Sequence, residues 1–187
     1  MQLQVHTPES APGEAGAILA GIADDLGLVP NLAASAAAGP TLLRSFDGLR
    51  RAVAGGTLDP VAREVAGLAV GVEVDNRYGV AFHSTVLTGL ALADEEIASL
   101  REGRDPSDPR LAAIAQLART IVRDRGKDAD GAVDAARAAG WSQEDILEVV
   151  AECTFAGLVG VVDNLAGHVA LDAFLQAQAW TPSPASV

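Results

Sequence analysis

Asp59-Pro60-Val61-Ala62-Arg63-Glu64-Val65-Ala66-Gly67-Leu68-Ala69-Val70-Gly71-Val72-Glu73 is followed, after Val74-Asp75, by Asn76-Arg77-Tyr78-Gly79-Val80-Ala81-Phe82-His83. Both runs carry a helical period. Val61, Val65, Leu68 and Val72 recur at three- and four-residue intervals, the spacing that gathers side chains on one face of a helix. Asp59 supplies a capping oxygen and Pro60 the fixed φ favoured at a first helical position, so a helix is predicted from there to about Glu73. A second is predicted from about Asn76 to Leu90. Glu64 borders a strip without side chains, Gly67 and Gly71, and on the second helix Asn76, Gly79 and His83 share a face. If the two helices form an antiparallel pair, these small-residue strips meet as a pocket with Glu64 and His83 on its walls.

The same period extends to both ends of the chain. Ala15, Ile18, Leu19 and Ile22 predict a helix over about 13–26 behind an N-terminal arm at 1–12, and Pro30 and Pro40 introduce helices at Leu32–Ala38 and Thr41–Ala54. Downstream, acidic Asp94-Glu95-Glu96 opens a short helix to about Glu102, a loop spans 103–107, and Asp108-Pro109 repeats the cap-plus-proline device for a helix to about Arg125. A further helix covers about Ala129–Ala138. Ser142 then caps a long one, expected to reach Ala179 with a kink near Gly157 or Gly160. A Pro/Ser tail at 181–187 is expected to fray. No strand-period alternation bounded by hairpin turns occurs. The fold class is therefore all-α, a helical bundle forming a single domain over 1–187.

The totals narrow the function. A formal charge of −12 and a pI near 4.5 disfavour phosphate backbones, so no nucleic-acid partner is expected. The longest apolar stretch, about Phe155–Val162, is bracketed by Glu152 and Asp163, too short for a bilayer span, and no membrane partner is expected. The lone Cys153 and the lack of a leader-like N-terminus point to a reducing cytoplasm. With aromatics at 4 % and hydrophobics at 49 %, the core must be built from Ala, Val, Leu and Gly, which permits close helix packing.

Glu64 and His83 are the candidate chemistry, although on spacing alone Glu64 also reads as a surface residue on a helix dipole and His83 as a hydrogen-bonded core residue. Cys153, Gly157, Gly160, Asn164 and His168 step down the last helix as a weakly polar stripe, read either as the opposite pocket wall or as backbone and subunit-interface contacts. Arg77 and Tyr78 read as holders of an anionic substrate or as surface charge and packing. No local His-x-x-x-His or Cys-x-x-Cys spacing points to a metal, and no Gly-rich nucleotide fingerprint follows a strand.

Glu64, eleven residues, Asn76, two residues, Gly79, three residues and His83 together resemble the motif of the carboxymuconolactone decarboxylase and alkylhydroperoxidase D-like superfamily, with Asn76 and Gly79 standing where that motif has its Cys-x-x-Cys pair. Pro30-Asn31-Leu32, Gly39-Pro40, Leu58-Asp59-Pro60, Gly89-Leu90 and Asp94-Glu95-Glu96-Ile97 resemble the longer, peroxidase-related branch, so the similarity covers roughly residues 8–175. The resemblance implies an AhpD-like helical bundle, assembled as a homodimer, trimer or hexamer, and the small-residue Gly157 and Gly160 region is a candidate interface. It also implies catalysis by His83 and Glu64 with no cofactor or metal, while Asn76, Gly79, Arg77, Tyr78, Asn164 and His168 stand as the candidate substrate-binding residues. Without the cysteine pair, the expected activity is that of the decarboxylase side: a lyase or isomerase acting on a small oxygenated acid, lactone or ketone. The alternatives are a peroxidase or thiol oxidoreductase using Cys153, and a non-catalytic binding or assembly protein.

Overall fold

The computed structural model describes residues 1–182, so residues 183–187 of the tail expected to fray lie outside the described residues. Among the described residues there are nine α-helices, one 3₁₀ segment and no strand. In chain order the helices are α1 (Ala15–Leu26), α2 (Asn31–Ala36), α3 (Pro40–Ala54), α4 (Pro60–Glu73), α5 (Arg77–Gly89), α6 (Asp94–Arg101), α7 (Pro109–Asp124), α8 (Asp130–Ala138) and α9 (Gln143–Ala166), and the 3₁₀ segment is Ala173–Gln178.

Helix starts follow local chemistry. The Asp59 carboxylate accepts the Ala62 N–H at 3.0 Å with Pro60 at the head of α4, and Asp108 does the same for Arg110 at 2.8 Å ahead of Pro109 in α7. Ser142 and Asp145 form a reciprocal capping box at the start of α9. Asn76 turns the chain from α4 into α5 by accepting the Gly79 N–H at 2.8 Å. Gly71 packs beside Val80 while Glu64, two turns earlier on α4, meets His83 further along α5, so the two helices run antiparallel.

Two apolar clusters fill the bundle. One surrounds α4 with Val65, Leu68, Ala69, Ile114, Leu117 and Val149, and the other joins α1, α2 and α3 to α5 and α9 through Leu19, Ile22, Leu43, Tyr78 and Val162. Alanines at 62, 66 and 69 keep α4 thin enough to pack against α5, α7 and α9 together.

The last helix departs from expectation. It does not run to Ala179 but stops at Ala166, where Gly167 (φ 73°) and His168 (φ 71°) turn the backbone left-handed. The Asp163 carboxylate fixes that turn by accepting the Val169 N–H at 2.7 Å and lying 3.1 Å from His168 Nδ1. Residues 167–180 therefore double back over the bundle as a strap, and Arg101 and Trp180 tie its far end to α6. The N-terminal arm lies against the bundle as well, since the His6 N–H reaches Ala34 O at 3.1 Å.

Candidate functional site

The α4–α5 antiparallel pair brings Glu64 and His83 into direct contact, with Glu64 Oε2 2.8 Å from His83 Nδ1 and both residues buried. Arg63 holds the other carboxylate oxygen through Nε and Nη2, each at 3.1 Å. On the far side of the imidazole, Nε2 lies 3.8 Å from Oε1 of Glu152 on α9, a residue only 2 % exposed whose Oε1 has no hydrogen-bond partner. Gly67 is what admits this array. A Cβ there would fall 2.2 Å from His83 Cε1, 2.5 Å from Nε2 and 2.6 Å from Glu152 Oε1, so any side chain would displace both groups.

A cavity of about 380 Å³ opens beside the array, with Arg63, Glu64, His83 and Glu152 on its wall. The rest of the wall is overwhelmingly apolar. All four phenylalanines of the chain, Phe46, Phe82, Phe155 and Phe174, line it, as does the single tyrosine, Tyr78. Phe46 and Phe155 tilt against each other with centroids 5.4 Å apart, and Phe82 meets the His83 ring edge-on.

Each charge in the array answers to its neighbours. Burial raises the Glu64 carboxyl, but the hydrogen bond and charge of His83, helped by Arg63, outweigh it and hold Glu64 below its ordinary 4.5. Burial likewise works against the charged His83 ring. The Glu64 hydrogen bond and the two nearby carboxylates overcome it, against Arg63, and leave the imidazole above its ordinary 6.5. Glu152 has no such bond, and burial, reinforced by Glu64 and opposed by His83 and Arg63, pushes it up to about 7.

These shifts give stability a definite pH dependence. Between the ordinary carboxyl value of 4.5 and about 7 the folded chain keeps the Glu152 proton that the unfolded chain has lost, so stability falls as pH rises through that window. His83 acts in the same sense, because the stability of its charged form is complete below 6.5 and lost as pH climbs through its raised folded value. Glu64 acts oppositely, its contribution being present above 4.5 and lost in acid below that. Thermal melts are therefore expected to show the transition temperature declining from about pH 5 to about pH 8, and Glu152→Gln should remove much of that decline. An unchanged slope in the variant would mean that Glu152 titrates like a solvated carboxyl.

Of the six residues expected around the substrate, Tyr78 and Gly79 line the cavity, while Asn76, Arg77, Asn164 and His168 do not. Asn76 is spent on the α5 cap, and its side chain fills the space over Gly79. Asn164 donates to Val74 O at 2.7 Å, and His168 faces Asp163 at the end of α9. Tyr78 directs its hydroxyl to Asp172. The wall contributed by α9 is Glu152, Phe155, Ala156 and Val159, roughly one helical step away from the anticipated stripe of Cys153, Gly157, Gly160, Asn164 and His168. Cys153 points away from the cavity toward Ala118 O, and burial together with the Glu152 charge pushes its thiol up to about 12, so it supplies no thiolate to this site. Among the described residues, no group of three His, Cys, Asp or Glu side chains is arranged to hold a metal ion, and no helix is long and apolar enough to cross a membrane.

No family model matches the chain, and no curated protein does. Solved structures do. An uncharacterized peroxidase-related protein from Ralstonia eutropha JMP134, described as an alkylhydroperoxidase AhpD core, superposes with a TM-score of 0.76 at 22 % identity, covering 93 % of this chain and 94 % of that one. An uncharacterized peroxidase-related protein from Silicibacter sp. TM1040 gives 0.75 at 18 % identity, covering 95 % and 94 %. A cysteine-to-alanine variant of the debrominase Bmp8, in complex with 2,3,4-tribromopyrrole, gives 0.74 at 16 % identity, covering 95 % and 96 %. The chain thus has the all-α AhpD-like fold over nearly its whole length.

Proposed function

We propose that this protein is a cofactor-independent acid/base enzyme, a lyase or isomerase that moves a proton beside the carbonyl of a small oxygenated molecule. The observation that carries this reading is the buried Glu64–His83 contact on the wall of an apolar cavity, with the second imidazole nitrogen turned toward Glu152 rather than bulk water. Glu64 is the positioning residue, since it fixes the ring through Nδ1 and favours the imidazolium. His83 donates its Nε2 proton to the reacting carbon and takes one back in the reverse step. Glu152, balanced near neutrality, serves as the second group able to gain or lose a proton on the same edge. Tyr78 and Gly79 contribute to the substrate surface. That the fold also houses a debrominase supports reading the cavity as a reaction site.

Proton transfer next to a carbonyl leaves a trace even when the natural substrate is unknown, because solvent deuterium enters the α-carbon. Small ring ketones and lactones incubated with the protein in D₂O are expected to lose their α-proton NMR signals faster than buffer alone allows. A panel that exchanges only at the buffer rate would overturn the reading.

We also propose that the chain self-associates through the outer face of α9. Leu147, Val150, Val161 and Leu165 are exposed there at helical intervals, running past the bare surface of Gly157. Gly160, expected to share that interface, packs instead inside the chain against Val74 and Asn76. Light scattering should show an oligomer for the unaltered protein and a smaller species for Val161→Glu, and a monomeric unaltered protein would overturn this assignment.

A further inference from the structure

A chain with aromatics at 4 % has little ring surface to place, and it places most of it in one cavity. The four phenylalanines come from α3, α5, α9 and the 3₁₀ segment, so no single helix repeat makes them converge. Phe82 and Phe174 remain 37 % and 45 % exposed, together with Leu26 and Leu28 at the same mouth. Exposing large apolar groups is unfavourable unless something flat and apolar covers them.

The polar part of the wall is equally particular. The three cations on it are already matched, the His83 imidazolium to Glu64 at 2.8 Å, Arg63 to the same carboxylate at 3.1 Å, and Arg50 to Asp25 and Asp47 at 2.6 and 2.7 Å. A carboxylate ligand would enter beside Glu64 and Glu152 with no uncommitted cation on the wall to receive it, and burying an unpaired charge is strongly unfavourable. What the wall does leave open is an edge. Glu152 Oε1 has no partner, and its 3.8 Å separation from His83 Nε2 is too long for a direct hydrogen bond, so a carbonyl group of a ligand can face both, its oxygen on Glu152 and its neighbouring carbon on Nε2.

We infer that the cavity takes a neutral molecule with a flat, largely apolar ring and one carbonyl group, whose oxygen accepts from the carboxylic acid of Glu152 while its α-carbon faces His83 Nε2, and that it rejects carboxylates. Glu152 thereby joins His83 as a group that touches the substrate. This deepens the acid/base reading given above and removes the small acids from its substrate range.

A matched pair of probes tests it: acetophenone and benzoate are both flat and similar in size, but one is a ketone and the other an anion. Titrated into the full chain near neutral pH and followed by the side-chain NMR signals of His83, acetophenone is expected to shift those signals and to bind about tenfold or more tightly than benzoate, a difference of roughly 1.4 kcal/mol. Acetophenone binding should weaken as pH rises through about 7, where Glu152 loses its donor proton. Glu152→Gln keeps an N–H donor of the same shape and should hold acetophenone within a few-fold, whereas Glu152→Leu should lose about tenfold. Benzoate binding as well as acetophenone, or an unshifted His83 signal at the ketone's solubility limit, overturns the inference, and both observations use the unaltered protein. The two readings fail separately. Selective ketone binding without deuterium exchange would overturn the enzymatic reading alone, and exchange accompanied by preferred carboxylate binding would overturn this one alone.

Discussion

Replacing His83 with alanine is expected to lower deuterium exchange into ring ketones by about 10²- to 10⁴-fold, the usual contribution of a positioned general acid or base. The effect is large because no other group on the wall duplicates the imidazole. Glu64 is held low and stays charged, Arg63 is spent on the Glu64 carboxylate, and Glu152 Oε1 has no partner that would fix its orientation. Glu64→Gln is a second, distinguishable case. It keeps the shape and an acceptor oxygen but removes the charge that favours the imidazolium, so the rate should fall and the limb of the pH profile belonging to His83 should move to lower pH, in the direction opposite to the shift Glu64 produces. A merely structural Glu64 would lower the amount of folded protein without moving that limb. Melting curves of both variants separate the two outcomes, and His83→Ala exchanging at the unaltered rate would end the proposed mechanism.

What the sequence makes legible divides along the range of the interactions involved. Asp59-Pro60, Asp108-Pro109 and Ser142 were legible because a cap is made within three residues of itself, and each helix begins where those residues place it. The Glu64–His83 contact was legible as a possibility because both residues border glycines at helical spacing on adjacent helices joined by a short turn. The role of Glu152 is not legible along the chain, although the residue leaves a signal: it sits three residues after Val149 and four before Ala156, inside the inward stripe of α9. A carboxylate on a buried face is a conspicuous choice. Its meaning, however, depends on the rotation of α9 against α4 and α5, which no local rule fixes. The misplaced polar stripe has the same cause, since a rotation of about one residue exchanges the Cys153 face for the Glu152 face. Gly167 is a local stop signal, since a glycine can take the left-handed turn that ends α9. Convergence of four phenylalanines from four elements is wholly non-local and could not be read along the chain.

Loss of the Asp163 carboxylate is expected to destabilise the fold substantially. Asp163 is completely buried and accepts the Val169 N–H at 2.7 Å and the Tyr78 N–H at 3.4 Å, while facing His168 Nδ1 at 3.1 Å. It thus ties the end of α9 and the start of the strap that follows it to the first turn of α5, 85 residues earlier in the chain. In Asp163→Ala two buried backbone donors lose their acceptor, each at roughly 1–3 kcal/mol, and the left-handed pair Gly167–His168 loses the contact that holds it. A total near 3 kcal/mol should lower the transition temperature by about 6–12 °C for a chain of this length. The strap also carries Asp172, which receives the Tyr78 hydroxyl and the Asn31 N–H, and Phe174 at the cavity mouth. Loosening it should therefore weaken acetophenone binding even at temperatures where the variant remains folded. Asp163→Asn, which retains one acceptor oxygen, should recover part of both losses. If Asp163→Ala melted within about 1 °C of the unaltered protein, Arg101 and Trp180 at the far end of the strap would have to be its true anchor, and the carboxylate at residue 163 a bystander.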